Sequence, residues 1–181
     1  MSPEDDSFSG QATQTLVWSA AGDALSGVDG YVIYVDGSQV LAVDDNTQTQ
    51  ANVAFTDGVH TWCVSAVDYA GNESFSESRV LKIDLVAPAP PEGLTASPSG
   101  WTNIDDFTVS WTNPPNGSGI AGAYYKLDSI PTTPTDGTYV AGDSITSISG
   151  ITVGSEGAHV IYVWLRDGTG NVDHGSRSWT S

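Results

Sequence analysis

Gly58-Val-His-Thr-Trp-Cys-Val-Ser-Ala-Val-Asp-Tyr-Ala-Gly-Asn72 occurs a second time, altered, as Gly157-Ala-His-Val-Ile-Tyr-Val-Trp-Leu-Arg-Asp-Gly-Thr-Gly-Asn171. Gly, His, Val, Asp, Gly and Asn agree at 58/157, 60/159, 64/163, 68/167, 71/170 and 72/171, each pair 99 residues apart. A shared register over so many positions marks one structural unit written twice. Upstream, Ser26-Gly-Val-Asp-Gly30 recurs as Ser118-Gly-Ile-Ala-Gly122 at an offset of 92, and Asp36 maps to Asp128 at the same offset. The step from 92 to 99 places about seven extra residues in the second copy, within Ser129-Ile-Pro-Thr-Thr-Pro-Thr-Asp-Gly137. Between the copies lies Asp84-Leu-Val-Ala-Pro-Ala-Pro-Pro-Glu-Gly93, whose prolines restrict φ and favour an extended spacer. The expected organisation is a first domain over 1–86, a linker over 87–93 and a second domain over 94–181.

Alternation, not helical periodicity, runs through both copies. Phe107, Val109 and Trp111 alternate with Thr108, Ser110 and Thr112, the period of a strand with one buried face. Leu16 and Trp18 hold the corresponding place in copy one. Further strands are predicted over 31–35, 51–55, 61–67 and 78–83, with Asp36-Gly37 and Asp57-Gly58 as turn signals. Short strands at this spacing predict an all-β chain of two tandem antiparallel β-sandwiches.

Composition narrows function. Five Lys and Arg against 22 Asp and Glu, a formal charge of −17, argue against nucleic acid, whose binding needs clustered cations. No apolar run approaches the roughly 20 residues of a membrane span, so no membrane insertion by this segment is expected. One cysteine, Cys63, precludes an internal disulfide. Met1-Ser-Pro-Glu-Asp-Asp-Ser7 has neither the basic nor the apolar region of a signal peptide. The expectation is therefore an extracellular or cell-surface segment of a larger protein, with its export signal elsewhere and the other domains of that parent as its partners.

A Trp late in an early strand (Trp18, Trp111), Ser-Gly-Val/Ile-x-Gly before the next strand and a late strand ending Ala66-Val-Asp-Tyr-Ala-Gly-Asn72 resemble bacterial fibronectin type III modules. Bacterial immunoglobulin-like repeats of adhesins share the Asp-x-x-Gly-Asn turn and the Asp-x-x-Ala-Pro linker, here Asp68 to Asn72 and Asp84 to Pro88. The resemblance covers nearly the whole chain. It implies a non-catalytic spacer or adhesion segment; the alternative is a pair of carbohydrate-binding modules accessory to a secreted hydrolase, and surface carbohydrate or protein joins the candidate partners.

Candidate sites follow from residue chemistry. Asp68, Gly71, Asn72 and Asp167, Gly170, Asn171 suit tight turns, since Gly and Asn tolerate positive φ while the carboxylate accepts backbone N–H groups. Carboxylates and carbonyls are equally the ligands of Ca²⁺. In a sandwich of this topology Asp36, Asp57 and Asp84 are expected at the exit pole of copy one, and Asp167 and Asn171 at the entry pole of copy two. These five are the candidate ligands of a Ca²⁺ at the junction, the only cofactor considered. Trp101, Trp164 and Trp179, with Tyr124 and Tyr139, are candidate platforms for sugar rings; packing against neighbouring strands is the competing role. His60 and His159 share one repeat position, which suggests a structural part. No Ser-His-Asp or Cys-His frame is visible, and no enzyme is expected.

Overall fold

The computed structural model describes residues 1–181. The chain divides into two compact units, Met1–Leu85 and Val86–Ser181. All regular structure is β.

In unit 1 the strands are β1 (Ser7–Ser9), β2 (Thr13–Val17), β3 (Val28–Val35), β4 (Ser38–Val43), β5 (Gln50–Ala54), β6 (Gly58–Asp68), β7 (Glu73–Phe75) and β8 (Arg79–Ile83). β2 pairs with β5, forming one sheet; the other runs β1-β8-β6-β3-β4, with β7 also on β6. Alternation makes each sheet two-faced. Leu16, Ile33, Val53, Trp62, Val64 and Leu81 turn inward into one core, whereas Cys63, between Trp62 and Val64, is half-buried beside Tyr34 on the outer face. β1 joins β8 in parallel, and Phe8 stays exposed with Lys82 Nζ 5.0 Å over its ring. The segment 78–83, one strand by sequence, is preceded by a second short segment paired on β6, which ends where Ser76 donates its N–H to the Val64 carbonyl and accepts the Val64 N–H on its hydroxyl oxygen.

Unit 2 repeats the arrangement with β9 (Glu92–Ser97), β10 (Phe107–Thr112), β11 (Ile120–Leu127), β12 (Thr138–Ala141), β13 (Ser147–Ile151), β14 (Ile161–Asp167) and β15 (Val172–Thr180). One sheet is β13-β10-β9 and the other β12-β11-β14-β15. Val109, Trp111, Ile148, Ile161, Val163 and Leu165 form its core. Glu92 and Gly93, assigned by sequence to the linker, already belong to β9, where Glu92 lies opposite Thr112. Pro91 is fully buried and its carbonyl accepts a hydrogen bond from the Ser178 hydroxyl. The spacer is thus shorter than its composition suggests, because its last two residues, Glu92 and Gly93, already belong to a sheet.

The turn chemistry is legible in the backbone. Asp36 and Gly37, at φ 51° and 76°, join β3 to β4 as a two-residue hairpin with both central residues left-handed. Asp128 repeats the positive φ at 57°, but Ser129 follows in place of a glycine and the inserted loop departs there. Both units have the fibronectin type III/immunoglobulin-like β-sandwich fold, a small sheet carrying the second and fifth core strands packed on a larger one carrying the third, fourth, sixth and seventh.

Candidate functional site

The residues that could do chemistry are concentrated in loops that are built twice. At the end of β3, the Asp36 carboxylate takes the Thr61 N–H at 2.8 Å on Oδ1 and His60 Nδ1 at 2.7 Å on Oδ2. His60 Nε2 lies 3.0 Å from the Thr56 carbonyl, with the Thr56 hydroxyl at 3.4 Å. In unit 2 Asp128 takes the Val160 N–H at 3.0 Å and His159 Nδ1 at 2.7 Å, and His159 Nε2 lies 3.0 Å from the Ser155 carbonyl. Carboxylate and carbonyl oxygens are acceptors only, so a ring serving both must donate from both nitrogens, which is the imidazolium form. The Asp36 hydrogen bond raises the His60 pKa above its ordinary 6.5. Asp128 does the same for His159. Reciprocally, the histidines hold Asp36 and Asp128 below the ordinary 3.8. Each unit therefore carries an Asp–His lock, an ion pair when the imidazole is protonated, between the end of β3 or β11 and the start of β6 or the loop before β14.

The second repeated element is the Asp-x-x-Gly-Asn turn. Asp68 Oδ1 accepts from Ala70 N and Asn72 N, and Oδ2 from the Asn72 amide at 2.7 Å and the Ser26 hydroxyl at 2.9 Å. The Asn72 side chain, then its backbone N–H, hold the Asp68 carboxyl at about 2. Asp167 is fully buried and accepts from Thr169 N, Gly170 N and Asn171 N on one oxygen and from the Asn171 amide on the other. Gly71 and Gly170 take φ of 84° and 99°, the left-handed geometry the turn requires.

The Ca²⁺ candidates are placed as follows. Asp36 belongs to the His60 lock, Asp57 Oδ1 accepts Leu85 N at 2.7 Å, and Asp84 donates its backbone N–H to the Ser9 carbonyl at 3.0 Å. These three share the end of unit 1 at which the chain leaves it. Asp167 and Asn171 lie within one turn at the opposite kind of pole in unit 2, where Gly168 N bonds the Gly119 carbonyl. Within the chain no group of three or more His, Cys, Asp or Glu side chains gathers to hold a metal ion.

Of the aromatic candidates, Trp164 must be corrected: it is fully buried and cannot be a sugar platform. Its phase points it away from the core, as alternation predicts, but the inserted loop covers that face. Trp164 Nε1 donates to the Pro134 carbonyl at 2.7 Å, and the ring stacks on Tyr124 at 5.5 Å and 11°. Gly137 passes so close that a Cβ there would come within 2.5 Å of the indole. Asp136, gripped by Lys126 and by Thr132 and held at about 2, pins the loop. Trp101 is 91% exposed and Trp179 63%. Trp101 stands beside an apolar cavity of about 440 Å³ lined also by Phe107, Val109, Ile151 and Ile161. Tyr124 packs on Tyr139 at 4.8 Å, and Arg166 lies 5.8 Å from the Tyr139 ring centre.

The Asp–His pairing escaped sequence reading although both members recur. Their offsets differ, 92 for the aspartate and 99 for the histidine, because the insertion lies between them. Persistence of both across that change of offset was the available signal.

No family model matches the chain. No curated protein matches it. Among solved structures, the fibronectin(III)-like modules of Clostridium thermocellum CbhA align over 98% of this chain and 88% of theirs, at 15% identity and TM-score 0.49. The FN1–FN3 domains of chicken CNTN1 align over 98% of this chain at 14% identity and TM-score 0.48, and the central fibronectin-III array of RIM-binding protein over 93% at 16% and 0.36. The chain spans 62% of each of the latter two. The strand order described above is what defines the fold.

Proposed function

We propose that the chain is a non-catalytic spacer segment of a larger extracellular bacterial protein. The observation that carries this reading is how the polar side chains are used. The carboxylates and histidines that recur in both units are bound to their own loops, at the same places, where they stiffen each sandwich. A pair of stiff sandwiches joined by a short proline-rich segment sets distance between whatever flanks it. Pulled from its ends, the chain should give two unfolding events, each releasing roughly 300 Å of contour at about 3.4 Å per residue. A single event, or turnover of any polysaccharide substrate, overturns the proposal.

A second reading is favoured by one observation, the exposed Trp101 indole beside an apolar cavity in unit 2. Such a ring offers a face for the C–H side of a sugar. Retention on insoluble cellulose or chitin that is lost in Trp101→Ala supports carbohydrate binding; equal passage of both proteins rejects it.

A further inference from the structure

The two units keep their inward faces apolar and diverge on the outward face of the larger sheet. Strand parity divides β14 into inward Ile161, Val163 and Leu165 and outward Tyr162, Trp164 and Arg166. At offset 99 the inward residues match Trp62, Val64 and Ala66, which are apolar as well, whereas the outward ones match Cys63, Ser65 and Val67. On β11, at offset 92, Tyr124 and Lys126 stand where unit 1 has Val32 and Tyr34. Unit 1 forms its sandwich without these rings and cations, so the fold does not require them.

β15 completes this surface. Its Arg177 pairs with Trp164 and its Trp179 with Tyr162, which fixes both side chains outward. Three of the chain's five Lys and Arg, namely Lys126, Arg166 and Arg177, therefore share one face, and none of the residues paired with them across β11, β14 and β15 is acidic. Lys126 is taken by Asp136. The two arginines form no ion pair, in a chain of 22 Asp and Glu.

Each of these guanidiniums spends only Nη1 within the chain, Arg166 on the Tyr139 hydroxyl at 3.4 Å and Arg177 on the His174 carbonyl at 2.9 Å. Nη2 and Nε of both are left as donors. Arg166 lies 5.8 Å from the Tyr139 ring centre and Arg177 5.9 Å from that of Tyr162. Gly122, paired with Arg166, makes the first contact possible, because a Cβ there would collide with the Tyr139 hydroxyl. A guanidinium laid on a ring keeps its planar fork in place, and that fork matches a carboxylate. Trp179, 63% exposed, adds an open indole on the same face, two residues and about 7 Å along the strand from Arg177.

We propose that the outward face of β14 and β15 binds an acidic polysaccharide, its hexuronate carboxylates taken by Arg166 and Arg177 while an adjacent sugar ring stacks on Trp179. A polymer of this kind carries an oxygen anion and a flat C–H face on successive units, and the two answer the guanidinium and the indole respectively. The formal charge of −17 opposes a densely charged chain, so the carboxylates are those of a polymer in which neutral sugars separate them. The proposal does not rest on sugar binding at Trp101.

The test is calorimetric titration of the full chain with oligosaccharides of hyaluronan and of glucuronoxylan, in both of which neutral sugars separate the glucuronates. Saturable binding to at least one is expected, and it should vanish when the carboxyl groups of that oligosaccharide are reduced to alcohols. Arg166→Gln/Arg177→Gln should melt with the natural chain and bind at least ~10-fold more weakly. Trp179→Ala should also bind more weakly, and Trp101→Ala should bind as the natural chain does. No saturation by roughly 10 mM of either oligosaccharide, equal binding after carboxyl reduction, or undiminished binding to the double-arginine variant overturns the proposal. Binding lost in Trp101→Ala but kept in the double-arginine variant assigns the sugar to Trp101 and overturns it as well. Tighter binding of an oligo-glutamate peptide or a single-stranded oligonucleotide than of either oligosaccharide assigns the face to another class of partner, with the same result.

Discussion

His60 and His159 are held by a carboxylate on one nitrogen and a carbonyl on the other, and that arrangement gives the protein a signed pH dependence. Both folded-state pKa values lie above the ordinary 6.5, so the stability they contribute is fully present below about that pH and lost as pH rises through the raised values. Asp36 and Asp128 lie below 3.8, so their contribution is present above that value and lost as pH falls through the depressed ones. The melting temperature should therefore decline above pH 6.5 in the natural chain and be flatter there in a His60→Gln/His159→Gln double variant. Equal slopes in the two proteins would show that other groups set the dependence. Asp167 is fully buried within its turn, and its removal tests that turn directly. Asp167→Ala strands three backbone N–H groups and should cost about 2–4 kcal/mol, read as a lower urea midpoint for unit 2. The Asp-x-x-Gly-Asn turns were legible in the sequence because the backbone N–H and Asn partners of each aspartate lie within four residues, whereas the Ser26 hydroxyl on Asp68 comes from farther along the chain. The Asp–His locks were not, because their members lie 24 and 31 residues apart and are joined only by folding.

At the scale of elements, the inserted loop does most to separate the two units. In unit 1 the Asp36-Gly37 hairpin closes β3 onto β4 at once; in unit 2 the chain detours over the outer face of β11 and β14 and buries Trp164. Replacing Ser129–Asp136 by a single residue ahead of Gly137 should expose that indole, seen as a red shift of tryptophan emission and quenching by acrylamide. The fold of unit 2 should survive, because Trp164 lies outside the core that Val163 and Leu165 enter. Unchanged emission would mean that Tyr124 and Tyr139 alone shelter the ring. Strand parity located Trp164 on the outer face correctly; that this face is covered depends on where Pro134 and Gly137 come to rest. The same parity accounts for Cys63, which is half-buried between the inward-facing Trp62 and Val64.

At the scale of the whole molecule, a formal charge of −17 on 181 residues makes self-repulsion a general load on both sandwiches. Raising NaCl from ~10 mM to ~150 mM shortens the Debye length from roughly 30 to 8 Å and should raise the melting temperature. Calcium at millimolar concentration separates screening from site binding. With Asp36, Asp68 and Asp167 engaged by protein donors, Ca²⁺ should add no more than an equivalent charge of Mg²⁺. A Ca²⁺-specific rise would reassign these carboxylates as ligands. What the sequence by itself determined was the all-β class, the duplication, the turns and the inward face of each strand, all of which depend on local alternation or on repetition within one chain. Only the tertiary structure decided which histidine meets which aspartate, that Trp164 is covered while Trp101 is exposed, and that Pro91 is buried against Ser178. Those outcomes depend on contacts between residues distant along the chain, whose partners are set by how strands from different parts of the sequence stack into one sandwich.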